Sequence, residues 1–133
     1  GSHVYEGIPA VLAELSGAGY RLFIASVKPT EIALKVLSDL DLIEYFDDVM
    51  GASMGPDRRD KSSIIAYALS SFGLRAAESI MVGDRDQDIN GAQAHGLGSV
   101  GVTWGFGSRE EIEQACPDRV AEASRDISLL LLN

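Results

Sequence analysis

Three aspartates, Asp84, Asp86 and Asp88, stand at alternate positions directly after the run Ile80-Met81-Val82-Gly83. The apolar triplet reads as a short strand buried on both faces, with Gly83 as its sharp exit and the carboxylates on the loop beyond its carboxyl end. In an open parallel α/β sheet that edge is where ligands bind. Taken singly, the acids have an ordinary explanation, since Asp86 can cap the following helix and Asp88 can sit in its first turn, where the dipole favours an anion. Taken as a pair, Asp84 and Asp88 need more: two carboxylates about 6 Å apart repel by roughly 3 kcal/mol at an effective dielectric of 20. A cation is therefore expected between them. Ser26 follows another apolar run, and Lys61 opens a helical stretch where an ammonium opposes the helix dipole. A hydroxyl, an ammonium and paired acids on one sheet edge suit a metal-assisted phosphoryl site. The acids would hold Mg²⁺ through oxygen, while Ser26 and Lys61 would grip phosphate oxygens and neutralise developing charge.

The elements that must position these residues follow from periodicity. Ile8, Val11, Leu12 and Leu15 predict an amphipathic helix over 8–18, with Pro9 in its first turn. Arg21 to Ala25 reads as a strand delivering Ser26, and Thr30 as the cap of a helix to about Leu40 with Ile32, Val36 and Leu37 inward. Leu42 to Phe46 reads as a helical turn or ordered loop, and Asp48 to Gly51 as a short strand. The Gly- and Pro-rich stretch from Ser53 to Asp60 reads as a loop, and Ser62 to Phe72 as a helix on Ile64, Ile65, Ala68 and Leu69. Beyond the acidic loop, Asp86 to His95 is a helix with Ile89, Ala92 and Ala94 suited to close packing, ended by Gly96. A strand over 98–102 and a glycine-rich loop from Thr103 to Ser108 come next. Ser108 and Glu111 form a capping box for a helix to about Ala115. An edge strand at Arg119 to Ala121 and a helix from Ser124 to Leu132 complete the pattern. Alternating strands and helices with short connections specify a doubly wound parallel α/β sheet with helices on both faces.

Composition narrows the functions. At 133 residues, 46% hydrophobic and 23% charged, the chain is a single globular domain. Twenty acids against 11 Lys and Arg leave a net charge of −9, which argues against nucleic acid or an anionic membrane as the main partner. A small phosphorylated metabolite is compatible, because a few local cations and a metal suffice to hold it. No apolar run is long enough to span a bilayer. The single cysteine, Cys116, reads as an ordinary helix residue; it precludes an intramolecular disulfide and fits a reducing, cytoplasmic setting. Gly1-Ser2-His3 resembles the remnant of a purification tag, so residues 4–133 are taken as the natural domain. His95 reads as a surface residue near a helix end, Trp104 and Phe106 as packing or entrance residues, and Arg58 and Arg59 as loop cations.

The ordered motifs together resemble the haloacid dehalogenase-like hydrolase superfamily, within it the phosphoglycolate phosphatase-like branch. Val4-Tyr5-Glu6-Gly7-Ile8 is similar to the segment returning from a cap domain. Phe23-Ile24-Ala25-Ser26-Val27-Lys28-Pro29 resembles the second motif, which implies that Ser26 binds phosphate. Asp60-Lys61-Ser62 resembles the third, which implies that Lys61 neutralises phosphate and steadies the acids. Val82-Gly83-Asp84-Arg85-Asp86-Gln87-Asp88 resembles the fourth. It implies that Asp84 is a Mg²⁺ ligand and Asp88 either a ligand through water or a partner of Lys61. The resemblance also implies a Rossmann-like core and a Mg²⁺-dependent phosphoric monoester hydrolase acting on phosphoglycolate or a nucleoside monophosphate.

Members of the superfamily attack with an Asp from an Asp-x-Asp pattern after the first, central strand. No Asp-x-Asp-x-Thr or Asp-x-Asp-x-Ser follows an apolar strand here, and the Asp-x-Asp runs at 39–41, 84–86 and 86–88 are a helix end and the fourth motif itself. The nucleophile, its strand and the cap are therefore expected upstream, and the chain alone is expected to be inactive. The alternative is a non-catalytic module of the same fold that binds phosphate, a metal or a protein. If the superfamily's strand order holds, a strand is missing between the one ending at Ser26 and the one ending at Gly83. The sheet then needs an upstream segment or a partner's strand to be complete. Direct pairing of those two strands would contradict the topology.

Overall fold

Apolar residues at positions 8, 11, 12 and 15 wind Ile8–Gly17 into α1, whose Val11 and Leu15 are buried. The computed structural model describes residues 7–52 and 60–132, so Val4 to Glu6 and most of the polar loop, with Arg58 and Arg59, lie outside them. The elements that follow are β1 (Phe23–Pro29), α2 (Thr30–Asp39), β2 (Asp48–Ala52), α3 (Lys61–Ser71), β3 (Ile80–Gly83) and α4 (Asp86–His95). The chain closes with β4 (Gly98–Val102), α5 (Arg109–Ala115), β5 (Arg119–Ala121) and α6 (Ser124–Leu132). Single 3₁₀ turns occupy Ile43–Tyr45 and Ala76–Glu78.

All pairings among the described strands are parallel, as the alternating pattern requires, but they form two sheets. One has the order β1-β2 and the other β3-β4-β5. β1 and β3 are not paired, which is the break expected from the motif order. Helices hold the halves together. On one face α1 sends Ile8 and Leu12 to the cluster of Ala33, Leu37, Leu42 and Val49, and Val11 and Leu15 to that of Val100, Val102, Ala121 and Ile127. On the other face Ile64 and Ala68 of α3 pack with Met50, and α3 lies against α4, where Gly91 brings the backbone close to Ile65 and Ser62.

Several expectations are corrected by this arrangement. β3 is not buried on both faces: Ile80 is 43% and Val82 37% exposed, because no described strand covers that edge. Ile32 and Val36 are exposed while Ala33 and Leu37 are buried, so α2 is rotated to place a small residue against the sheet. Thr30 is the first helical residue rather than the cap, a position held by Pro29, and its hydroxyl accepts the Gly51 amide at 3.1 Å. β1 runs on to Pro29 through a register shift after Ala25, where Ser26 Oγ takes the Lys28 amide. Ala94 is exposed, Gly91 taking the close-packing position, and Cys116 lies just past α5 with φ 58°. Among the described residues no helix is long and apolar enough to cross a membrane.

The start of α3 is locally determined. The Asp60 carboxylate accepts the Ser63 amide at 2.8 Å and the Ser63 hydroxyl at 2.7 Å, completing a reciprocal cap. These bonds, the hydroxyl's first, hold the Asp60 carboxyl below the usual carboxylate range. A carboxyl depressed by folding stabilises the protein above its unfolded pKa and ceases to do so as pH falls through the folded one. Wild type is therefore expected to be more stable than Asp60→Asn at neutral pH. Denaturant titrations should show that margin shrinking below about pH 4. A margin constant from neutral pH down to about pH 3 would refute this assignment.

Candidate functional site

Lys61 organises the site because its position forces the ammonium inward. It is the first residue of α3, 9% exposed, and its Nζ donates to Ala25 O at 2.6 Å and pairs with Asp88 Oδ1 at 2.9 Å. One ammonium thus links β1 of one sheet to the first turn of α4, the helix that follows β3 of the other. Lys61 therefore pairs with Asp88 rather than standing between Asp88 and Asp84.

Asp88 lies in the first turn of α4 and is 4% exposed. Its Oδ2 accepts the amides of Asp84 at 3.1 Å and Arg85 at 3.2 Å, so both its oxygens are engaged within the chain. Glycine is required at 83, because a side chain there would overlap the Asp88 carboxylate. Asp84 is only half buried. Its Oδ2 accepts the Phe106 amide at 2.8 Å and its carbonyl the Gly107 amide at 2.9 Å, while its Oδ1 enters no hydrogen bond among the described residues. Ser26 is the neighbour of the carbonyl that Lys61 holds, and its Oγ accepts the Lys28 amide at 3.1 Å. The structure therefore links Lys61, Asp88 and Asp84 directly and brings Ser26 to them through Ala25.

Asp86 is the first residue of α4 rather than its cap, and Arg85 holds the cap position without a capping side chain. Glu111 compensates. Its Oε2 accepts Arg85 Nε and the Asp86 amide, both at 2.8 Å. The expected capping box at α5 is therefore half formed: Ser108 Oγ accepts the Glu111 amide at 3.0 Å, but the Glu111 side chain turns to the acidic loop. Hydrogen bonding to Arg85, then to the Asp86 amide, holds the Glu111 carboxyl low, and the same Glu111 contact raises Arg85 further. Glu111 and the amides of Phe106 and Gly107 are the site components that motif reading misses. The signal available in the sequence is the Gly-Phe-Gly run at 105–107, which marks close backbone approach.

His95 takes a role other than a plain surface residue, sharing a hydrogen bond with Ser62 Oγ at 2.9 Å. Trp104 packs against the core, whereas Phe106 is 91% exposed. A concavity of about 420 Å³ bordered by Asp86, Asn90, Glu110 and Glu111 and another of about 250 Å³ bordered by Asp60, Lys61, Gln87 and Asn90 do not enclose the cluster. Neither contains both Ser26 and Asp84.

No group of three or more His, Cys, Asp or Glu stands ready to ligate a metal among the described residues. Mg²⁺ does not need one, since it takes one or two carboxylates and fills its octahedron with phosphate oxygens and water. The unengaged Oδ1 of Asp84 fits such a ligand.

Comparison with known proteins follows the same lines. Over 121 residues the chain is 34% identical to the tyrosine-protein kinase PtkA of Mycobacterium tuberculosis, covering 91% of this chain and 42% of the relative. A 5'-nucleotidase of Pseudomonas aeruginosa is 34% identical over 87% of this chain and 52% of its own length. A phosphoglycolate phosphatase of Vibrio cholerae is 33% identical over 98% and 56%. The chain thus spans about half the length of these relatives. The crystal structure of a predicted phosphatase from Clostridium acetobutylicum superposes with a TM-score of 0.91 at 36% identity, covering 96% of this chain and 59% of that one. The model of haloacid dehalogenase-like hydrolases matches residues 1–102, which include the serine strand, the buried lysine and the acidic loop. With sequence, fold and motif order in agreement, this chain belongs to the haloacid dehalogenase-like hydrolase family.

Proposed function

We propose that this chain is the core of a Mg²⁺-dependent phosphatase acting on a small phosphorylated metabolite in the cytoplasm. Phosphoglycolate and nucleoside monophosphates are the favoured substrates, in keeping with what two of its relatives are named for. The observation that carries the reading is the division of labour between the acids: Asp88 is spent on Lys61 and two amides, while Asp84 keeps one oxygen without a hydrogen bond among the described residues.

Lys61 has three N–H donors, and Ala25 O and Asp88 Oδ1 take two. The third is available to a phosphate oxygen. Asp88 keeps the ammonium in place and its two amide bonds set the backbone at Asp84, a role that includes the option of contacting the metal through water. Ser26 Oγ accepts from Lys28 N, which leaves its hydroxyl hydrogen to donate to phosphate. Asp84 Oδ1 would ligate Mg²⁺, which would offset phosphate charge as the ester bond breaks. The attacking carboxylate comes from a strand outside this chain, supplied by an upstream segment or by another chain, and seated between β1 and β3.

The test is hydrolysis of an aryl phosphate with Mg²⁺ by the protein that includes the upstream segment. Asp84→Asn is expected to lower kcat by about 10²–10³-fold, the scale of losing one electrostatic stabiliser. Undiminished turnover in that variant would remove Asp84 from the mechanism. Absence of turnover in the wild type with all candidate substrates would favour the non-catalytic binding module.

A further inference from the structure

The segment that aims Asp84 comes from a different part of the chain than the motif that contains it. We propose that the loop from Thr103 to Ser108, together with Glu111, is a positioning device for the metal-side carboxylate. This rests on the reading of Asp84 as a Mg²⁺ ligand.

Three observations converge on it. First, the loop grips Asp84 at two atoms, with the Phe106 amide on Oδ2 and the Gly107 amide on the carbonyl. Occupation of Oδ2 sets the plane of the carboxylate and leaves Oδ1 as its ligating oxygen. Second, the grip requires glycine on both sides of Phe106. A side chain at Gly105 would overlap the Asp84 carboxylate, and one at Gly107 would overlap the Asp84 backbone. Phe106 itself contributes inward only through its amide, its ring being 91% exposed.

Third, the next two residues are moulded from the same direction. Arg85 offers no capping acceptor to α4, and Glu111 supplies one from α5, taking the Asp86 amide and Arg85 Nε on a single oxygen. The Glu111 side chain is 25% exposed, so the bonds are only partly screened. The turn that presents Asp84 is thus held between Asp88 on one side and the 105–111 segment on the other. Gly105, Gly107 and Glu111 are positioning residues, acting on the metal through Asp84.

The experiment measures Mg²⁺ affinity by calorimetry on the protein that includes the upstream segment, beside the Mg²⁺ dependence of aryl phosphate hydrolysis and the melting temperature. Gly105→Ala is expected to weaken Mg²⁺ binding about tenfold, the equivalent of one hydrogen bond to a charged group, with kcat at saturating Mg²⁺ nearly retained. Glu111→Gln keeps an acceptor but loses its charge, and is expected to weaken binding by about threefold, since charge-assisted bonds are roughly twice as strong as neutral ones. Gly17→Ala, in α1 with open space around it, should leave Mg²⁺ affinity unchanged. Should Gly105→Ala fail to fold, Glu111→Gln decides. Wild-type affinity in the folded variants, with or without a lowered melting temperature, overturns the positioning role alone. Absence of Mg²⁺ binding by the wild type overturns the metal reading of Asp84 and this inference with it.

Discussion

Replacing Lys61 with alanine is expected to lower the unfolding free energy by about 3–5 kcal/mol in urea titrations of the protein with its upstream segment, the scale of breaking a buried ion pair from one side. The magnitude follows from burial. The Lys61 and Asp88 side chains are only 10% and 6% exposed, so removing the ammonium leaves a carboxylate with two amide bonds and no counter-charge. Ala25 O loses its donor at the same time. Removing both charges should be less damaging than the sum of the parts. Lys61→Ala/Asp88→Ala is expected to lose less stability than the two single changes added together, with a coupling of at least about 1 kcal/mol. A loss below about 1 kcal/mol in Lys61→Ala, the range of an exposed pair, would mean that the ammonium is solvated and does not tie the two sheets.

The unpaired edges of β1 and β3 should have an effect of comparable or greater size. A strand inserted between them would satisfy several backbone donors and acceptors on each side, each contributing about 1 kcal/mol net. It would also cover Ile80 and Val82, now 43% and 37% exposed, adding roughly 1–2 kcal/mol apiece. The sum, on the order of 5–10 kcal/mol, rivals the entire stability of a small domain. Residues 4–133 alone are therefore expected to melt broadly and bind a hydrophobic dye. The protein extended upstream by one apolar strand should melt in a single sharp transition at least about 15 °C higher. Sedimentation separates the other outcome, in which a second copy supplies the strand and the isolated chain is a stable dimer. A sharp transition at equal temperature in a monomer of residues 4–133 would show that the gap carries no such penalty.

The cluster of Lys61, Asp84 and Asp88 is legible in sequence to the extent that its parts are local. Asp86–His95 forms where the acidic start, small residues and Gly96 place it, and Lys61 opens α3 as its periodicity requires. The break between β1 and β3 is legible because motif order and strand order are linked. Burial is less so. In α2 Leu37 is buried as its spacing predicts, but Ile32 and Val36 are exposed and Ala33 takes the inward position, because the distance to the sheet selects a small side chain. Val82 and Ile80 look like core in one dimension, and their exposure depends on which strand lies beside them.

The sequence by itself determined an α/β protein whose Lys61 opens a helix and whose Asp84 and Asp88 follow a strand's carboxyl end, since side-chain period and turn chemistry act over a few residues, whereas Ser26, expected at a strand's end, lies inside β1. Only the tertiary structure decided how the acids differ. Asp88 turns to Lys61, 27 positions earlier in the numbering, and Asp84 is taken by the amides of Phe106 and Gly107 from the loop beyond β4. Those partners are set by the parallel crossovers that carry distant segments to one sheet edge.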